Sequence, residues 1–172
     1  MMLLRHLLSI AILPGTVVVL VPLWIARRYG TALALGSSAG LAALQLLGLG
    51  LLAVGLALFV ASLWRFATEG KGTLAPWDPP RAFVVRGPYR FVRNPMISGV
   101  VFLLFAEALF LLSWPHALWA ATFLAANLVY IPLVEEPQLE SRFGDAYREY
   151  RRHVPRFRPL LRPWTARGDG GD

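Results

Sequence analysis

Three groups of side chains have the residue types and the spacing to line one ligand site. Residues 86–96 read RGPYRFVRNPM and bring arginines, a tyrosine and an asparagine to the start of an apolar run. Two adjacent carboxylates, Glu135 and Glu136, follow the last apolar run, and Tyr147 and Tyr150 come shortly after them. Guanidinium groups bind anions, whereas carboxylates and aromatic faces stabilise cations. These residues are therefore the candidates for binding a charged small molecule.

Structural roles compete with ligand binding for each group. Glu135 and Glu136 precede Pro137, and the helix dipole stabilises carboxylates at such a helix start by less than about 1 kcal/mol each. Neighbouring helical residues point about 100° apart, so one Glu can face a ligand while the other pairs with Arg93 or an arginine of the tail. The arginines of residues 86–96 could serve only as positive-inside anchors, and the tyrosine as an interfacial one.

The composition indicates a membrane protein. The chain of 172 residues is 56% hydrophobic and 16% charged, with a mean hydropathy of +0.54, which is more apolar surface than a soluble domain of this length can cover. Its net charge of +7 comes without a recognised nucleic-acid motif, so we expect anionic lipid headgroups or an anionic ligand as partners and no nucleic acid. The absence of cysteine excludes disulfides and thiolate chemistry, and we expect no metal site.

The apolar runs predict an all-α, polytopic membrane helix bundle of about four spans in a single domain, residues 1–172. Residues 7–25 contain two prolines and suggest a kinked first span, whereas residues 41–64 exceed the roughly 20 residues that cross a bilayer. The predicted segments are two N-terminal spans (1–66), a basic cytoplasmic connection (67–95), a helical hairpin (96–134), a cytoplasmic helix with a basic tail (135–160) and a disordered end (161–172).

The C-terminal part predicts an interfacial helix. Pro137 fits the first turn of a new helix that begins after the hairpin. Leu139, Phe143, Tyr147 and Tyr150 recur at helical spacing and would form its apolar side. Because the connection and the tail hold most of the arginines, both are expected in the cytoplasm, with the hairpin turn on the opposite face.

A few residues within the apolar runs also carry expectations. Glu107 is costly at membrane depth unless it is paired, solvated or neutral; it could line a substrate cavity, but a hydrogen bond to Asn127 across the hairpin is the favoured interpretation. His116 is expected to be only a turn residue. Close helix contacts are expected at three glycines of the second run: Gly48, Gly50 and Gly55.

The order of these motifs resembles that of the isoprenylcysteine carboxyl methyltransferase and phospholipid methyltransferase families. The matching pieces are residues 86–96, the hydrophobic hairpin, the Glu-Glu-Pro at 135–137 and the segment 143–156 with its tyrosines and Val-Pro-Arg. The resemblance covers about half of the chain. Many relatives carry His where this chain has Asn94, which argues against an imidazole base, and often Tyr where it has Ile97.

The resemblance implies an S-adenosylmethionine-dependent methyltransferase. Its acceptor would be lipophilic, either the carboxylate of a prenylcysteine-like compound or the amine of a phospholipid headgroup, although a small-molecule acceptor stays open. The alternative is a non-catalytic membrane scaffold or lipid-binding protein. The implied catalytic residues are Arg93 and Glu136, and the implied cofactor-binding residues are Tyr89, Arg93, Asn94, Pro95, Met96, Glu135, Glu136, Tyr147 and Tyr150.

Overall fold

The fold is all-α, as the sequence predicts, and the residues described contain no strand. The computed structural model describes residues 12, 14–33, 35–69 and 83–165. The regular elements are a π-helical turn (Thr16–Leu20), α1 (Val21–Tyr29), α2 (Ala39–Glu69), a 3-10 turn (Gly87–Arg90), α3 (Pro95–Phe110), α4 (Trp114–Tyr130), a second π-helical turn (Ile131–Glu135) and α5 (Glu136–His153). The N-terminal part of the predicted first span, most of the predicted basic connection and the last residues of the tail lie outside the described residues.

Glycines bring α2 and α3 into close antiparallel contact. A Cβ atom on Gly55 would lie 2.9 Å from the carbonyl oxygen of Gly99, and one on Gly99 would lie 2.9 Å from the carbonyl oxygen of Gly55. Two turns away, a Cβ on Gly48 would lie 3.1 Å from the carbonyl oxygen of Ala106. The prediction of close contacts is therefore confirmed for two of the three glycines, but Gly50 faces open space.

The buried centre of the bundle is α3. Val100 and Leu104 pack against Ala120 of α4, and Val17 and Phe59 lie against this cluster from the first π-helical turn and from α2. Because side chains four residues apart share a helix face, Val100 and Leu104 present one side of α3 to three other elements. Helix α3 is shorter than α2 and α4, and many of its residues are buried.

The outer faces of α2 and α4 are apolar and exposed. Leu46, Leu47 and Val60 of α2 are more than half exposed, as is Val129 of α4. Within the part of the chain that the structure describes, two helices are long and apolar enough to cross a bilayer: α2, and the continuous helix Trp114–His153. Such a surface is typical of contact with lipid rather than water.

The C-terminal end of the hairpin differs from the prediction. α5 begins at Glu136, next to Pro137 as predicted, but it continues from α4 through the π-helical turn instead of following a break. Proline lacks an amide hydrogen and its ring clashes with the carbonyl four residues earlier. The wider π-helical turn accommodates this at Pro132, and the N–H of Glu136 donates to the carbonyl of Ile131. The apolar part of this helix ends at Val134.

Hydrogen bonds join the helices at the end that carries the hairpin turn. His116 is buried, and its ring nitrogens contact the Ser113 hydroxyl at 2.7 Å and the Pro22 carbonyl at 3.2 Å. The side chain of Gln45 donates to the Phe110 carbonyl at 2.9 Å. His116 is thus more than a turn residue, since it ties the first helix to the hairpin.

The expected hydrogen bond between Glu107 and Asn127 does not form. The Asn127 side chain donates to the carbonyl of Phe123 in its own helix, at 2.9 Å. One carboxyl oxygen of Glu107 is buried and has no hydrogen-bond partner in the described structure.

The α2–α3 contact predicts opposite effects for two Gly-to-Ala substitutions. Gly99→Ala places a methyl group against backbone atoms and is expected to cost about 1–3 kcal/mol of stability. Gly50→Ala, the matched control, meets nothing and is expected to be neutral or to stabilise by up to about 1 kcal/mol through helix propensity. Thermal unfolding in detergent measures both, and equal melting temperatures would contradict the close contact.

Candidate functional site

A buried carboxylate bound by two arginines forms the centre of the site. Arg93 Nη1 lies 2.9 Å from Glu136 Oε1. Arg156 contacts both oxygens of the same carboxylate, through Nε at 2.7 Å and Nη2 at 2.9 Å. The side chains of Glu136 and Arg93 are only 7% and 11% exposed. Such charge-assisted hydrogen bonds are strong and fix the geometry of all three groups.

Each member of this cluster stands at the end of a different element. Arg93 precedes α3, where Pro95 occupies the first turn and is buried. Glu136 is the first residue of α5, directly after the π-helical turn. Arg156 lies in the segment after α5. This segment is held to the residues before α3, because the Arg93 N–H donates to the Pro155 carbonyl at 2.9 Å. The cluster therefore depends on three separate parts of the chain.

The C-terminal segment crosses the 3-10 turn and stays attached to it. The N–H of Leu160 donates to the Phe91 carbonyl, and the N–H of Trp164 donates to the Arg90 carbonyl, both at 2.9 Å. Arg90 Nε returns a hydrogen bond to the Trp164 carbonyl at 2.9 Å. The predicted disordered end over residues 161–172 consequently does not include Trp164, which the backbone contacts hold in place.

An aromatic cluster supports the ion pairs from the side of α5. Tyr147 and Tyr150 are buried. Phe83 stacks on Phe143 and contacts both tyrosines edge to face. The Tyr150 hydroxyl donates to the Tyr89 carbonyl at 2.6 Å. Burial raises the pKa values of the Tyr89 and Tyr150 hydroxyls, and a neighbouring negative group adds to this for Tyr89. Both phenols therefore stay protonated, and Tyr150 is engaged in holding the 3-10 turn against α5.

The second carboxylate has a different environment from the first. Glu135 is half-buried, and no ion pair to it is present among the described residues. Burial raises the pKa of the Glu135 carboxyl to about 6, with a further contribution from the adjacent Glu136. A carboxyl with such a pKa changes charge near neutral pH, which suits a proton acceptor.

One donor of the cluster is left unused. Arg93 Nε is buried and has no hydrogen-bond partner within the described structure. A buried guanidinium donor without a partner is costly, and a ligand oxygen would satisfy it. Arg93 therefore has a fixed position and one buried N–H without an acceptor, and Tyr147 also interacts with its guanidinium group.

The structure gathers the remaining predicted residues around this cluster. Asn94 is the residue before α3, and its carbonyl accepts bonds from the backbone and side chain of Ser98, while its side chain makes no cap. Met96 is partly exposed in the first turn of α3. Tyr147 is buried in the aromatic cluster rather than open to a ligand.

A comparison with known families matches the region that contains most of this site. The family model for phospholipid methyltransferases matches residues 43–146, more than half of the chain. The chain belongs to the phospholipid methyltransferase family. No curated protein and no solved structure matches it. As a phospholipid methyltransferase family member with two long apolar helices, the chain is a membrane protein with an expected methyltransferase activity.

The family match includes both carboxylates and Arg93 but ends before the tail. Arg156, Phe83 and Trp164 were not among the predicted site residues, although the structure brings all three to the site. A tail arginine as the partner of one Glu was anticipated in general terms. For Phe83 and Trp164 the sequence offers one signal: each is a large apolar side chain within a basic or turn-rich segment.

The cluster predicts unequal costs for removing two carboxylates. Glu136→Gln leaves two guanidinium groups without their anion in a buried setting and is expected to destabilise the protein by about 3–5 kcal/mol. The control is Glu140→Gln, because Glu140 pairs with Arg148 and Arg151 on the surface and such pairs contribute less than about 1 kcal/mol. Thermal unfolding in detergent is the measurement. Similar losses of stability in both variants would show that the Glu136 ion pairs stabilise the protein no more than the surface pairs of Glu140.

Proposed function

We propose that this protein is an S-adenosylmethionine-dependent methyltransferase that transfers a methyl group to a lipophilic acceptor at the membrane surface. The observation that carries the proposal is the juxtaposition, within the family-matched region, of a fixed arginine with a free donor and a carboxylate with a raised pKa. The family supports methyl transfer. The choice of cofactor and acceptor is our inference from the chemistry of these residues.

The residues present fit the charges of the proposed cofactor. S-adenosylmethionine carries a sulfonium cation, an ammonium group and a carboxylate, so its site needs both anionic and cationic groups. The free Nε of Arg93 is suited to the cofactor carboxylate, and Glu135 is suited to one of its cations. Asn94, Pro95 and Met96 border the same space, while Tyr89, Tyr147 and Tyr150 form the supporting wall. Glu136 serves by holding Arg93 in position.

In the reaction, the protein mainly positions the groups that react. The bound cofactor would supply an electrophilic methyl group. An amine acceptor must lose a proton when its nitrogen is methylated, and Glu135 is the group at the site that accepts a proton near neutral pH. A carboxylate acceptor would need no base and would instead be held by an arginine. The half-buried site limits the access of water, which protects the transferring methyl group.

We further propose that the site faces the cytoplasm and that the protein is multi-pass with four spans. The described part of the first helix ends beside the hairpin turn, where Tyr29 contacts Trp114, and the site lies at the opposite end of α3. The exposed arginines of α5 and the tail, Arg151, Arg152, Arg158 and Arg162, surround the site end, and the positive-inside rule assigns this end to the cytoplasm. α5 would then lie at the interface.

Cofactor binding tests the proposal directly. Calorimetric titration of S-adenosylmethionine into detergent-purified wild type is expected to show saturable binding, which Arg93→Gln weakens at least about ten-fold because a charged hydrogen bond is lost. Arg151→Gln, which removes an exposed pair with Glu140, is expected to leave binding unchanged. Labelled methyl transfer into lipid extracts follows. A folded wild type that binds no cofactor would overturn the enzyme proposal and favour a membrane scaffold or lipid-binding protein.

The proposed role of Glu135 predicts a pH dependence. Below a pH of about 6 its carboxyl is protonated and neutral, and above it the carboxylate attracts a cation. Affinity for S-adenosylmethionine is therefore expected to fall, by up to about ten-fold, as the pH is lowered from about 7.5 to about 5. Glu135→Gln is expected to bind weakly and without this dependence. A wild-type profile that Glu135→Gln reproduces would assign the titration to another group.

A further inference from the structure

The basic tail after α5 contains a fully exposed leucine. The side chain of Leu161 is open to its surroundings, whereas Leu160 and Trp164 on either side of it pack against the aromatic cluster of Tyr147 and Tyr150. The neighbours therefore face inward and Leu161 faces outward. The other exposed large hydrophobic side chains of the described residues lie between positions 12 and 133, in or next to the apolar helices, where contact with lipid accounts for them.

Hydrogen bonds hold the chain on both sides of Leu161. The N–H of Leu160 donates to the Phe91 carbonyl, and the N–H of Trp164 donates to the Arg90 carbonyl, both at 2.9 Å. Arg90 Nε also donates to the Trp164 carbonyl. Residues 161–163 thus form a short loop between two anchors. The fold itself presents Leu161 outward, in contrast to the side chains of a loose chain end.

The anchors place this loop at the level of the membrane surface. Arg90 and Phe91 shortly precede Pro95, where the apolar helix α3 begins. The chain between Phe91 and Pro95 can span no more than about 14 Å. Because α3 is part of the membrane bundle, the loop lies close to the lipid headgroups.

The tail on both sides of the leucine carries only positive charge. Residues 151–165 contain five arginines and neither Asp nor Glu. Arg151 and Arg156 already form ion pairs with glutamates. Arg158 and Arg162 flank the leucine, are exposed and form no ion pair with any described residue. Two such cations beside an outward leucine fit an anionic lipid surface, since arginine binds the headgroups while the apolar side chain enters the layer beneath them.

We propose that residues 158–163 dock onto an anionic bilayer surface, with Leu161 inserted among the lipids and Arg158 and Arg162 on the headgroups. An acidic protein would also attract two arginines, but the membrane that holds the helices of this chain is always within reach of the loop. Docking also steadies the site, because the same tail segment supplies the second arginine of the Glu136 cluster.

The first test locates the loop and does not require activity. The chain contains no cysteine, so Pro163→Cys, which keeps Leu161 in place, takes a single fluorescent label. Nitroxide-bearing lipids are expected to quench this label more in nanodiscs with a one-third share of phosphatidylglycerol than in phosphatidylcholine alone. Combining Arg158→Gln with Arg162→Gln is expected to lower the ratio of docked to free loop about five-fold for each arginine removed. Salt at about 1 M is expected to abolish the difference between the lipid mixtures.

The matched control removes two charges that are already paired. Arg148→Gln with Arg151→Gln takes away arginines that bind Glu140 on α5 and is expected to leave the quenching unchanged. Leu161→Gln is expected to reduce quenching in both lipid mixtures, because burial of an apolar side chain does not depend on lipid charge. Equal quenching of the otherwise wild-type label in both mixtures would overturn docking on an anionic surface. A label that stays in water throughout would do the same and favour an acidic protein as the partner.

The second test measures the effect on the site and rests on the proposed function. The affinity of wild type for S-adenosylmethionine is expected to be several-fold higher in the phosphatidylglycerol nanodiscs than in phosphatidylcholine. Arg158→Gln with Arg162→Gln is expected to lose this gain and to bind as wild type does in phosphatidylcholine. Equal wild-type affinities in both mixtures, with lipid-dependent quenching intact, would overturn the coupling to the site. A wild type that binds no cofactor in either mixture would contradict the proposed function instead, and the quenching would still decide whether the loop docks.

Discussion

The ion-pair cluster at Glu136 is the interaction on which the site end of the structure depends. Its carboxylate receives Arg93 from the start of α3 and Arg156 from the tail, so one buried anion connects segments that lie far apart in the chain. Buried charges are costly to desolvate, and a pair of this kind persists only when the geometry is good and the oxygens are fully bonded. Both oxygens are bonded here. The backbone bonds between the tail and residues 90–93 and the tyrosine cluster are arranged around that anion.

The prolines give the bundle its second constraint. Pro132 and Pro137 interrupt the hydrogen bonds of the longest helix, and the chain responds with a wide turn instead of a break. The helix continues from the apolar region into polar α5, and it is kinked within α5 at Gly144, whose φ of 55° is not helical. Glu135 and Glu136 are neighbours at this turn and, as adjacent helical residues, point about 100° apart, so two identical residues have different surroundings. A π-helical turn also lies between Pro14 and Pro22 in the first helix, where Pro22 offers its carbonyl to His116.

The family match supports methyl transfer, and the structure suggests a division of work within the site. Arg93 Nε and the Glu135 carboxylate could still bind a ligand. By contrast, Glu136 and Arg156 are bonded to each other, and the Tyr150 hydroxyl is bonded to the backbone. The family resemblance implies a catalytic role for Glu136, but its contacts favour the role of a residue that positions Arg93. Arg156 acts on the site although it lies beyond the family-matched residues.

The sequence by itself determined the all-α class, the long apolar helices, the hairpin and the family, because these follow from hydrophobic runs and local motifs that need no knowledge of distant contacts. It also named Gly48 and Gly55 of α2, which contact α3, but named Gly50 with them, which meets nothing. Only the tertiary structure decided which glutamate meets the arginines, that α4 and α5 are continuous, that His116 joins two helices and that Trp164 packs on the site. Three of these features depend on contacts between residues that are remote in sequence. The continuity of α4 and α5 depends on whether a proline clash breaks the helix or widens the turn, and the local sequence pattern does not decide this.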